Sequence, residues 1–98
     1  MKILSWNSRG AGSRTFLRNI RDLIRVYAPE VIFVLETRIS GTVAAEALLS
    51  KGRIGYGEKV VVDSVGRSGG MWMLWNPGVV NVRVLSQTTQ KIDAIISF

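Results

Sequence analysis

Two side chains in this 98-residue chain stand where chemistry is commonly placed. Glu36 follows Val31-Ile32-Phe33-Val34-Leu35, an unbroken apolar run that stops abruptly at its carboxylate. Such a run reads as a strand buried on both faces of a sheet. The C-terminal end of a buried strand is rigid and opens into the crevice where α/β proteins bind their ligands. An acid there suits a metal ion; the plainer reading is that Glu36 marks where the strand meets water. Asn7 closes a second candidate strand, Lys2 to Trp6, in which Ile3, Leu4 and Trp6 are the apolar positions.

The composition narrows what Glu36 and Asn7 could do. Histidine and cysteine are both absent. That removes the usual general base, the usual nucleophile activator, zinc-type ligands and disulfides. Any metal here needs oxygen ligands, which favours Mg²⁺, Mn²⁺ or Ca²⁺. Lys and Arg number 13 against 7 Asp and Glu, for a net charge of +6, and nine of the 13 are Arg. Arginine excess suits phosphate, whose oxygens its planar fork grips in pairs. Nucleic acid is therefore a candidate partner, beside the bland reading of a basic soluble surface. Apolar residues make up 47% of the chain, yet no apolar run approaches the ~20 residues that span a bilayer. The start turns polar too soon for a signal peptide. With cysteine absent, an intracellular setting, the nucleus included, is the expectation.

Stepping from Asn7 to Glu36 requires a crossover, and the sequence supplies one. Asn7-Ser8-Arg9-Gly10-Ala11-Gly12-Ser13 reads as a polar loop. It lacks the Gly-x-Gly-x-x-Gly pattern and the Gly-Lys-Ser/Thr of a P-loop, so a nucleotide-binding domain built on Gly10–Gly12 is a weak alternative. Ser13 is a plausible N-cap for a helix to Tyr27. Phe16, Ile20, Leu23, Ile24 and Tyr27 form its apolar face, and Arg14, Arg18, Arg21 and Arg25 repeat on the opposite one. The Arg stripe could follow a phosphate backbone; the favoured reading is a solvated face. Pro29 ends the helix. Strand, helix, strand with a right-handed crossover sets the two strands parallel, which brings Asn7 and Glu36 to one end of the sheet.

The remainder reads as a second helix, Thr42 to Lys51, with Val43, Ala47 and Leu48 inward and Gly52 at its end. Gly55 and Gly57 bracket Tyr56 in a mobile connection. Val60–Val62 leads to a hairpin turn over Asp63–Gly70, and Met71–Trp75 returns as another doubly buried strand. Asn76-Pro77-Gly78 is a turn. Val80, Val82 and Val84 mark a half-exposed strand, and Ile92, Ala94, Ile96 and Phe98 a final one. Closing on Ala-Ile-Ile-Ser-Phe resembles a cut through a sheet. The fold class is α/β (α+β), in one partial domain over 1–98.

Three segments, in this order, carry a resemblance. Trp6-Asn7-Ser8-Arg9-Gly10, Pro29 through Thr37, and Gly66-Arg67-Ser68-Gly69-Gly70 before an apolar strand closely resemble the endonuclease/exonuclease/phosphatase superfamily. In detail they look like the endonuclease domain that accompanies reverse transcriptase in plant non-LTR (LINE-type) retroelements. The similarity covers essentially the whole chain. It implies a four-layer α/β/β/α sandwich of which this is the N-terminal portion. It also implies Glu36 as the Mg²⁺-binding glutamate (Mn²⁺ being the alternative ion) and Asn7 as the catalytic asparagine beside the metal. In that family a metal neutralises the scissile phosphate while a His–Asp pair activates water. Ser8 stands where members often carry Cys. The second sheet's Asn and Asp residues, the tyrosine and the closing Asp-His pair have no counterpart here.

The resemblance thus implies the N-terminal part of a Mg²⁺-dependent phosphodiesterase that cleaves nucleic acid, DNA foremost, and that is inactive alone. The alternative is a non-catalytic basic fragment that binds nucleic acid, or a retroelement relic. Arg9, Arg38 and Arg67 are the candidate nucleic-acid contacts. The three glycines of Gly66–Gly70 suit a tight turn that leaves Arg67 in solvent. Half a sandwich would also leave one inner apolar face bare, so the isolated chain is expected to be molten or aggregating.

In a longer chain carrying the rest of the domain, Glu36→Ala is expected to cut nicking of supercoiled plasmid by orders of magnitude with the fold intact. Nicking at the wild-type rate would refute the assignment of Glu36.

Overall fold

The computed structural model describes residues 1–97; the expected strand position Phe98 lies outside the described residues. Its elements, in chain order, are β1 (Ile3–Asn7), α1 (Phe16–Tyr27), β2 (Val31–Leu35), α2 (Thr42–Lys51), β3 (Glu58–Val65), β4 (Ser68–Trp75), β5 (Asn81–Gln87) and β6 (Ile92–Ser97). Four strands form a sheet in the order β1-β2-β4-β3, and β5 and β6 form a separate pair. The α1 crossover leaves β1 and β2 parallel, with Asn7 opposite Leu35. β4 joins β2 antiparallel, pairing Leu35 with Met71, and β3 pairs antiparallel with β4.

Because side chains alternate across a strand, β2 and β4 each feed two cores. Ile32, Val34, Trp72 and Leu74 face the helices, where Phe16 and Ile20 of α1 and Ala45 and Leu49 of α2 cover them. Phe16 sits between two indoles, stacked on Trp6 at 5.5 Å and edge-on to Trp72 at 5.8 Å between ring centroids. Val31, Met73 and Trp75 face the other way and pack beneath Val80, Val82, Ile92, Ala94 and Ile96. The layers are thus helices, four-stranded sheet and two-stranded hairpin, an α/β/β stack. The expected bare inner face is covered over β2 and β4 by β5–β6. On edge strand β1 the cover is thinner, and Ile3 keeps 49% of its surface in solvent.

Several local expectations shift for physical reasons. α1 starts at Phe16 with Thr15 as its N-cap, and no side chain caps it, so Ser13 does not hold that role. The Ala11 N–H donates to the Thr37 carbonyl (2.8 Å), pinning the preceding loop into turns and delaying the helix. The four arginines Arg14, Arg18, Arg21 and Arg25 are all exposed. α2 keeps its expected bounds but turns Ala45 and Leu49 inward rather than Val43 and Ala47; Val43 is 81% exposed. Gly52 ends α2 in right-handed geometry, φ −80°. Its missing side chain matters for packing, since a Cβ there would lie 2.6 Å from Leu17 Cδ2.

The hairpin turn is far shorter than Asp63–Gly70. Val65 pairs with Ser68, so only Gly66 and Arg67 form the loop. Gly66 has φ 61° and Arg67 is not among the positive-φ residues, the pattern of a type II′ turn. At the other end of the sheet, Asn76 Oδ1 accepts the Gly57 N–H (2.8 Å), and its carbonyl accepts Val79 N–H (3.0 Å).

The Gly55–Gly57 connection is anchored rather than mobile. The Tyr56 hydroxyl donates to the Pro29 carbonyl at 2.6 Å, tying the chain before β3 to the chain before β2. Burial, helped by the charge of Glu30, pushes the Tyr56 phenol above its ordinary value of 10.0. A folded pKa raised this way gives stability that is complete below the unfolded value and lost as pH rises through the folded one. The thermal midpoint is therefore expected to fall above about pH 10, and Tyr56→Phe to melt lower at neutral pH with a shallower alkaline decline. Superimposable declines in the two proteins would refute the anchor.

Candidate metal and phosphate site

The parallel pairing of β1 with β2 does bring Asn7 and Glu36 together. Asn7 is opposite Leu35, so Glu36 begins where the two strands end side by side. Both side chains are exposed. The strands are stitched beyond their last pair by Ser8, whose N–H donates to the Leu35 carbonyl at 3.0 Å. Its hydroxyl donates to the same carbonyl (2.9 Å) or to the Glu36 carbonyl (3.2 Å), and accepts the Gly10 N–H at 3.3 Å. A small hydroxyl thus fastens the loop after β1 to the backbone of Glu36.

Asn7 Oδ1 accepts the Arg9 N–H at 3.0 Å, closing an Asx-type turn. Among the described residues one lone pair of that oxygen and the amide nitrogen's donors have no further partner. The Glu36 carboxylate has Arg38 as its ion-pair partner, Oε2 to Nη2 3.7 Å, with both side chains about half exposed. An exposed pair at this distance is worth about 0–1 kcal/mol, so the carboxylate is easily released.

The backbone here is unusual. Arg9, Glu36 and Arg38 have φ of 54°, 51° and 56°. Left-handed geometry costs an ordinary L-residue roughly 1–2 kcal/mol, and such strain gathers at functional sites. Among the described residues five non-glycine positions have this conformation, and three of them, Arg9, Glu36 and Arg38, belong to the five candidate site residues named from sequence; the others are Ala28 and Arg53. The sequence did not reveal what holds them. Thr37 is fully buried between Glu36 and Arg38, and its N–H and that of Arg38 donate to the Gly70 and Gly69 carbonyls at 3.2 and 2.8 Å. Glycine pairs beside a buried strand are the signal that could have pointed to it.

Arg67 projects from the β3–β4 turn at this same end of the sheet, exposed. Among the described residues it makes no ion pair. Arg9 and Arg38 thus stand two residues beyond Asn7 and Glu36 and bring positive charge to that shelf, and Arg67, in solvent, lies at the same end of the sheet. A cleft of 410 Å³ lies elsewhere, lined by Leu49, Arg53, Tyr56 and Lys59. Lys59 there is already paired with Glu46 at 3.1 Å.

The donors fit a hard cation in kind. Glu36 offers a carboxylate and Asn7 a carboxamide oxygen, and Mg²⁺ characteristically takes one or two carboxylates, keeps several waters and shares the phosphate. In number the set is thin: among the described residues no three Asp, Glu, His or Cys side chains gather into a metal cluster.

The endonuclease/exonuclease/phosphatase family model matches residues 4–96, and the chain belongs to that family. A solved AP endonuclease, LMAP from Leishmania major, is similar with a TM-score of 0.53 at 21% identity. The similarity covers 86% of this chain and 28% of that one, so the chain spans less than a third of that nuclease. At that identity the likeness shows the shared fold. No curated protein matches the chain. No helix is long and apolar enough to cross a membrane, among the described residues.

Mn²⁺ titrated into the chain and followed by electron paramagnetic resonance is expected to bind weakly. Glu36→Gln should abolish that binding, whereas Arg38→Gln, which removes the competing cation, should tighten it up to a few-fold. A wild-type titration curve from Glu36→Gln would exclude this shelf as a metal site.

Proposed function

We propose that residues 1–98 form the metal-holding part of a Mg²⁺-dependent phosphodiesterase that nicks nucleic acid, DNA foremost, with Mn²⁺ as the substitute ion. The observation that carries this reading is the placement of Glu36 and Asn7 at adjacent parallel strand ends, both exposed, with Glu36 held in costly left-handed geometry. Membership of the family supports the reaction class, and the AP endonuclease likeness supports DNA as the substrate class. The motifs at Trp6–Gly10, Pro29–Thr37 and Gly66–Gly70 support the finer kinship with plant LINE-type endonuclease domains. An intracellular, nuclear setting belongs to the same proposal.

In this reading Glu36 and Asn7 would hold the cation. When bound, it supplies charge neutralisation at the scissile phosphate and at the leaving oxygen. Arg38 leaves Glu36 and, with Arg9 and Arg67, takes the neighbouring phosphates as charge-assisted donors. The Asn7 amide hydrogens are free to donate to a phosphate oxygen beside the metal. Activation of the attacking water needs a base of suitable pKa, and the chain has no histidine. By itself it therefore binds and does not cut.

The test is complementation. Alone, with Mg²⁺, the chain should leave supercoiled plasmid intact. Fused ahead of the C-terminal part of a family nuclease that supplies the Asp and His residues, it should nick plasmid, and Glu36→Ala should silence the fusion. Metal-dependent nicking by the chain alone, reproduced in Glu36→Ala, would refute the proposal. DNA binding by both the chain and the fusion, with nicking by neither, would favour a non-catalytic binding module.

A further inference from the structure

Glu36 and Arg38 both adopt positive φ, while Thr37 between them does not. An alternation of this kind turns residues 36 and 38 outward and sinks residue 37. Thr37 is 0% exposed, yet its Oγ1 has no hydrogen-bond partner among the described residues. A buried hydroxyl without a partner is costly, and each such group in a folded protein calls for a reason. Here the reason is steric. A Cβ added to Gly70 would overlap Thr37 Oγ1 and would lie 3.2 Å from the Arg38 nitrogen and 3.4 Å from the Ser64 nitrogen. Gly70 also has φ 85°. The Thr37 side chain therefore lies against the bare Cα of Gly70, a seat that only glycine offers.

Three backbone bonds clamp the same residue and its neighbour. The Thr37 N–H donates to Gly70, its carbonyl accepts from Ala11, and the Arg38 N–H donates to Gly69. Residue 37 is thus held from β4 on one side and from the loop after β1 on the other.

We infer that Thr37, seated on Gly70, is the positioning residue that aims the Glu36 carboxylate at the end of the sheet. The inference rests on the reading of Glu36 as a cation ligand, and it adds the residues that set its direction. Gly70 touches no ligand. It acts by leaving room, so β4 supplies the site with an absence of atoms. The glycines of the Gly66–Gly70 segment accordingly divide into two roles: Gly66 makes the turn, and Gly70 makes the seat.

The experiment uses the whole chain, with Mn²⁺ as the probe, backbone NMR shifts of Glu36 as a metal-free readout, and a thermal melt as the control for folding. Thr37→Ala is expected to weaken Mn²⁺ binding about tenfold, the size of loss typical when a group that orients a ligand is removed. It should also move the Glu36 shifts off left-handed values while the melt stays cooperative. Thr37→Ser, which keeps Oγ, should retain binding. Gly70→Ala should lose more, and adding Thr37→Ala to it should recover part of the loss, because the overlapping oxygen has gone. If Gly70→Ala does not fold, Thr37→Ala and Thr37→Ser decide alone. A lower melt in Thr37→Ala with unchanged Mn²⁺ affinity and unchanged Glu36 shifts would overturn the inference. Should Glu36→Gln leave Mn²⁺ binding intact, the cation reading fails by itself, and the Glu36 shifts in Thr37→Ala still decide the positioning role.

Discussion

The double burial of β2 is the constraint on which the rest of the molecule depends. Ile32 and Val34 are sealed beneath the helices, and Val31 is sealed beneath the β5–β6 hairpin. A strand used on both faces cannot shift register without moving every side chain to the wrong core. It is therefore the most sharply located segment in the chain, and its last residue, Leu35, fixes where Glu36 emerges. β1 takes its position from β2 on one edge and β4 from the other. Asn7, Glu36 and Gly70 thus refer to a single frame, and the helices hold that frame from one side only.

What surrounds Glu36 shows how a rigid frame can carry an uncomfortable backbone. Left-handed φ at Arg9, Glu36 and Arg38 would relax if the loop were free. It is not free, because backbone bonds reach the loop from Leu35, from Gly69 and Gly70, and from Ala11 to Thr37. Folding energy gathered in two cores is transmitted through a few hydrogen bonds to residues that no core touches. The polar groups at the shelf meanwhile stay accessible, which a ligand for a hydrated cation requires.

Much of this was legible in the residues. The bounds of β2 and α2 follow from an unbroken apolar run and from Gly52, and the parallel placement of Asn7 beside Glu36 follows from the strand–helix–strand crossover. Family membership was legible in three short segments. The inward face of α2 was not, because Ala45 carries little hydrophobic weight and is chosen for its small size against the sheet. The start of α1 was not, because it depends on a bond from Ala11 to Thr37, 26 residues away by their numbering. The anchoring of Tyr56 was hidden behind its flanking glycines, since nothing local reveals a hydroxyl that reaches the Pro29 carbonyl. The seat at Gly70 was hidden too, as one residue's role there lies in what another residue needs. Local pattern gives the elements; contacts between distant segments give the aim of the side chains.

The mixed sheet also imposes an order of assembly. β3 and β4 are joined by a two-residue loop, and hairpins of that kind close in roughly microseconds. β2 has no such local partner, since β1 reaches it only across α1, and β4 only after α2 and β3 have been traversed. Closing those longer loops comes later. Until then Val31–Leu35 is a short, uncharged, β-prone stretch with two open edges, the composition that seeds intermolecular sheet. The strand that locates everything in the finished fold is thus one that gains its partners only through the closure of long loops.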